Sequence, residues 1–146
     1  MADDGAGPAV YDFILAHPPM PDGVRLLHLG LGGIALLDEL EGERTLVVVD
    51  AVMLGDPPGT VHVIEWDDLP EAGQAVTGHG IGVREAIAVG RRLFPERMPR
   101  KVYLVGVEGR CFDGLGEPMT PEVAAAIEHA AATALDLAQG GIPSAR

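Results

Sequence analysis

Thr45-Leu46-Val47-Val48-Val49-Asp50 is an apolar, β-branched run that ends on an acid. A stretch without polar alternation suits a strand covered on both faces, as strands of a parallel sheet are. Upstream, Ile34, Leu36, Leu37 and Leu40 fall at helical spacing as far as Gly42, behind the glycines between Gly30 and Gly33. Ahead of those glycines, Val24, Leu26, Leu27 and Leu29 predict a second buried strand, so the central order is strand, helix, strand. Further out, the Pro and Gly cluster from Pro18 to Gly23 closes a helix that starts at Pro8 and reaches about His17.

Downstream of Asp50, a loop with Gly55, Asp56, Pro57, Pro58 and Gly59 leads into a further strand over Thr60 to Trp66. The glycine-rich stretch Thr77-Gly78-His79-Gly80 opens a helix from about Ile81 to Phe94, closed by Pro95 and Pro99. Val102 to Val107 predicts another buried strand, Gly109 to Met119 a glycine-rich loop, and Thr120 the N-cap of a last helix over Pro121 to Ala138. Strands alternating with helices imply one α/β domain over residues 1–146: a three-layer α/β/α sandwich around a mainly parallel sheet, with ligands at the strand ends.

Composition narrows the function classes. The 146 residues are 47% hydrophobic and 22% charged, enough apolar content for one collapsed domain. Ten Lys and Arg against 22 Asp and Glu leave a formal net charge of −12, which repels a nucleic acid backbone. Cys111 is the single cysteine, so no internal disulfide forms. The sequence shows neither a secretory apolar segment behind basic residues nor a run long enough to span a bilayer, and a cytoplasmic protein without membrane contact is expected.

Chemistry-bearing residues gather at the predicted element ends. Asp50 stands where a strand should emerge into the ligand crevice, a position that suits a functional acid and equally a turn-initiating one. His79 lies between glycines ahead of a helix, where an imidazole can ligate a metal, carry a proton or simply occupy a loop. Asp3 and Asp4 precede the first helix, where carboxylates also cap free N–H groups. Two carboxylates and one imidazole would supply an O, O, N ligand set for a divalent metal. A competing pattern is Gly30-Leu31-Gly32-Gly33-Ile34-Ala35, a G-x-G-x-x-A between strand and helix with Asp50 near the ribose-binding position. On that alternative, Gly30, Gly32, Ala35 and Asp50 would serve a small dinucleotide-binding oxidoreductase.

Taken in order, several segments resemble the nickel-iron hydrogenase maturation endopeptidases over nearly the whole chain. They are Asp3-Asp4-Gly5-Ala6-Gly7, Leu29 to Gly33, Val48-Val49-Asp50-Ala51, Pro58-Gly59-Thr60-Val61 and Gly78-His79-Gly80-Ile81, followed by Gly106-Val107-Glu108 and Met119-Thr120-Pro121-Glu122-Val123. The resemblance implies a phosphorylase- or hydrolase-like α/β/α sandwich with metal contacts at Asp4, Asp50 and His79. It also implies an aspartyl endopeptidase, Asp4 and Asp50 being its catalytic acids, that trims the C-terminal peptide of a hydrogenase large-subunit precursor. The nickel would be carried by that precursor, and the enzyme is expected to act as a monomer. Neither Asp50 nor His79 is expected in the core.

Members of that family carry an apolar strand and a Gly-Asn loop ahead of the acidic pair, whereas this sequence starts at Met1. Met1 is therefore expected to be an internal methionine taken as a start. Loss of a central strand would leave apolar faces and unpaired edges. Glu108 is followed by Gly109 where the family has proline, and the sequence attaches no role to it. A third reading, besides peptidase and oxidoreductase, is a metal-responsive protein that binds a hydrogenase subunit without cutting it.

Overall fold

The computed structural model describes residues 5–28, 33, 35–69, 78–109 and 119–141, with residues 78–81 described by their backbone alone. Among the described residues four α-helices surround one sheet: α1 (Ala6–Ala16), α2 (Ala35–Glu39), α3 (Gly78–Leu93) and α4 (Pro121–Ala138). The sheet contains β1 (Thr45–Val52), β2 (Val61–Glu65) and β3 (Lys101–Glu108) in the order β1-β3-β2. β1 runs parallel to β3 from Thr45 against Lys101 to Val52 against Glu108, and β2 runs antiparallel to β3 from Val61 against Val107. The described sheet is thus half parallel and half antiparallel, because the short Gly- and Pro-containing loop after β1 returns the chain as β2 without a helical crossover.

The period-2 alternation of the strands divides the core into two layers. Ala51, Val61, Tyr103, Val105 and Val107 face α1 and α4, where Val10, Ile14, Val123, Ile127, Ala130 and Leu137 are buried against them. Val52, Val102 and Leu104 face the other way, against Leu36, Leu40, Trp66, Ile87 and Met98 of the α2 and α3 side. The expected three layers are present, helices covering both faces. Small residues on the buried stripe of α4, Ala126, Ala130, Ala131 and Ala134, let it lie close to the sheet.

One predicted strand is not formed. Residues 24–28 take no strand structure, and Leu27 is 39% exposed. A strand needs a ladder partner for its backbone groups, and apolar content alone does not supply one. This segment is held by side chains instead: the Arg25 guanidinium reaches the Glu39 carbonyl oxygen, the Glu39 carboxylate at 3.1 Å and the Glu43 carboxylate at 2.6 Å. A cavity of about 560 Å³ separates it from β1, lined by Val10, Tyr11, Ile14, Leu26, Val47 and Val49 among others. Among the described residues no strand pairs with the outer edge of β1.

Candidate functional site

Asp50 lies inside β1, two residues before its end at Val52, and is only 4% exposed. This corrects the expectation of an exposed acid just beyond the strand: the run of hydrogen-bonded pairs with β3 continues past it through Val52. Asp50 and His62 are both partners of Gly106 in the central strand, one from each side. Directly paired residues point to the same face, so Asp50, His62 and Glu108 share the α2 and α3 side with Val52. The glycine at 106 leaves room there; a Cβ on it would lie 2.6 Å from Cγ1 of Val52. The Ala51 N–H donates to Oδ1 of Asp50 at 2.8 Å, which fixes the carboxylate at the strand's end.

His79 falls in the first turn of α3, which starts at Gly78 rather than after Gly80. The glycine-flanked histidine is therefore on a helix and not in a loop. The reason lies in packing: a Cβ on Gly33 would fall on the backbone of Gly82, so the early α3 backbone lies directly against the residue that precedes α2. Contact with the rest of the fold outweighs the poor helix propensity of Gly78, Gly80 and Gly82. Gly33 thereby has a packing role independent of any phosphate cradle, while Gly30 and Gly32 lie outside the described residues.

Asp3 and Asp4 also lie outside the described residues, immediately ahead of Gly5, the N-cap of α1. The start of α1 touches the strand that carries Asp50: a Cβ on Gly7 would lie 2.8 Å from the Val49 carbonyl oxygen and 3.8 Å from Asp50 Cα. The described backbone thus brings the start of α1 to Asp50, while α3 packs through Val83 and Ile87 on the sheet face to which Asp50 points.

The same end of the sheet holds a polar group that the sequence did not single out. Glu108, the last residue of β3, is 1% exposed. Its Oε2 accepts the N–H groups of Leu54 at 2.8 Å and Gly55 at 3.2 Å, and its Oε1 lies 2.9 Å from His62 Nε2. Main-chain bonds from the Gly59 N–H to the Glu108 carbonyl and from the Glu108 N–H to the Thr60 carbonyl, both 2.8 Å, fasten the loop to the strand. Glu108 thereby anchors the whole turn that follows β1.

Comparison with known proteins identifies the family and the fold. The model of the family described as "Hydrogenase maturation protease" matches residues 15–137. The chain is 33% identical to the hydrogenase expression/formation protein HupD of Thiocapsa roseopersicina, over 99% of its own length and 66% of that protein's. To HoxM of Azotobacter vinelandii it is 31% identical, over 99% of its length and 70% of HoxM's. It spans about two thirds of these relatives. Among solved structures, the hydrogenase maturating endopeptidase HybD from E. coli has the same fold, with a TM-score of 0.78 at 24% identity over 96% of this chain and 86% of that one. HybD from Thermococcus kodakarensis gives 0.76 at 22% identity, over 94% and 91% of the two chains. With a family match across most of its length, two such relatives and the fold in common, the chain belongs to the hydrogenase maturation protease family.

Proposed function

We propose that this chain is an endopeptidase that removes the C-terminal peptide of a nickel-iron hydrogenase large-subunit precursor once nickel has been installed. The observation that carries the proposal is the buried Asp50 carboxylate near the C-terminal end of β1, on the sheet face against which Val83 and Ile87 of α3 pack. Family membership sets aside the dinucleotide-binding alternative built on Gly30, Gly32, Ala35 and Asp50. Nickel is part of the substrate on this reading, held by the precursor's own ligands.

Asp4, Asp50 and His79 would complete the coordination of that nickel with two carboxylate oxygens and one imidazole nitrogen. Only a correctly loaded precursor would then be seated, which makes the metal a recognition element. Either carboxylate, Asp4 or Asp50, can accept a proton from the attacking water, in keeping with an aspartyl endopeptidase. We place this reaction in the cytoplasm, with the protease acting as a monomer. No helix among the described residues is long and apolar enough to cross a membrane.

Asp50→Asn and His79→Ala test the site. Both are expected to abolish cleavage of a nickel-loaded precursor while the circular dichroism spectrum stays that of the parent. Asn is the appropriate replacement at position 50 because it keeps the volume of a buried side chain. Full cleavage by either variant would remove that residue from the site. An imidazole must be neutral to bind a metal, so cleavage should also fall at a pH acidic enough to protonate it.

A further inference from the structure

Asp56, His62 and Glu108 each offer one ligand atom, and these atoms all lie within 4.8 Å of one another. His62 Nε2 is the central atom, 2.9 Å from Glu108 Oε1 and 3.4 Å from Asp56 Oδ2. In a tetrahedral zinc site with bonds of about 2.0–2.1 Å, neighbouring ligand atoms are about 3.3 Å apart. The observed separations bracket that spacing, so small side-chain rotations would seat a cation.

Burial and charge point the same way. The Glu108 side chain is 2% exposed and that of His62 is 13% exposed, so these two groups are not a solvated surface cluster. The Leu54 and Gly55 N–H groups occupy Oε2 of Glu108, which leaves Oε1 turned towards the imidazole, as outer hydrogen bonds orient a ligating carboxylate. Two carboxylates with a neutral imidazole carry two negative charges. A divalent cation cancels both. The Asp56 side chain is 54% exposed, which leaves an entry path and an open side for water.

We propose that Asp56, His62 and Glu108 form a binding site for a divalent first-row transition cation, zinc in the first instance, with three protein ligands and a remaining position open to solvent. The nitrogen ligand favours such a cation over magnesium, which prefers oxygen alone. On binding, the cation takes the Nε2 lone pair of the neutral imidazole, whose single proton is then carried on Nδ1. It clasps the turn between β1 and β2 to the end of β3. None of these ligands belongs to the site proposed at Asp50, although His62 and Asp50 lie on the same sheet face on either side of Gly106.

Cobalt(II) titration of the chelator-treated full chain, followed by its visible absorption, tests the assignment. One equivalent is expected to bind with the intense bands of a four- or five-coordinate site, and zinc should displace it. His62→Ala should lose this equivalent. Asp56→Asn, at an exposed position where unfolding is not a concern, should weaken it by at least about tenfold. Asp50→Asn and His79→Ala should retain it, which separates failure of this site from failure of the peptidase site. No cobalt uptake, uptake unchanged in Asp56→Asn, or uptake lost in Asp50→Asn or His79→Ala would overturn the proposal.

Discussion

At the scale of single residues, the fold places charge where neighbours offset its burial. Burial alone would raise the pKa of Glu43, yet N–H groups of Glu41 and of Glu43 itself, together with the Arg25 guanidinium, outweigh it and hold the carboxyl below its ordinary value. A carboxyl lowered in the folded state stabilises the fold above its unfolded pKa and loses that contribution as pH falls through the folded one. Glu43→Gln should therefore reduce the melting temperature near pH 6 and change it much less at a pH acidic enough to protonate the parent carboxyl as well. Thermal melts at the two pH values measure this; an equal effect at both would mean that the charge is not what matters. Asp50 was legible as a candidate because an acid that ends an apolar run is conspicuous. Its burial was not, because nothing in the run shows that pairing with β3 continues to Val52. The group around Glu108 was hidden for a simpler reason: 46 residues separate it from His62, and only the antiparallel return of β2 brings them together.

At the scale of elements, close backbone approaches decide the geometry more than propensity does. Gly33→Ala would drive a methyl group into the Gly82 backbone at the start of α3, where no side chain can rotate away. Overpacking of that kind costs about 1–3 kcal/mol, to be read from urea denaturation, and should push the start of α3 away from residue 33. A stability within error of the parent would show that the approach is looser than drawn. The open edge of β1 gives a second expectation. β3 is bonded on both sides and β1 on one among the described residues, so amides of Val102 to Val107 should exchange with deuterium more slowly than those of Leu46 to Val49. Equal protection would mean that something covers that edge. Helix α4 was legible to the residue because Thr120-Pro121-Glu122 starts it and small or apolar residues repeat along one stripe. The segment at 24–28 was misjudged because an apolar run says which surface wants cover and not whether a neighbouring strand is there to pair.

At the scale of the whole molecule, two helical layers enclose a small sheet whose end brings together Asp50 and the start of α1, with α3 on the face to which Asp50 points. The formal charge of −12 fits a protein partner or a metal-bearing substrate better than a polyanion. The central claim is that this end of the sheet inspects a nickel-bearing precursor and then cuts it. Intact-mass analysis of a cognate large-subunit precursor, incubated with this protein in nickel-loaded and nickel-free forms, tests that claim most directly. The account predicts loss of a C-terminal peptide from the loaded precursor alone. An unchanged mass for a verified nickel-loaded precursor, or equal cleavage of the nickel-free form, would contradict it.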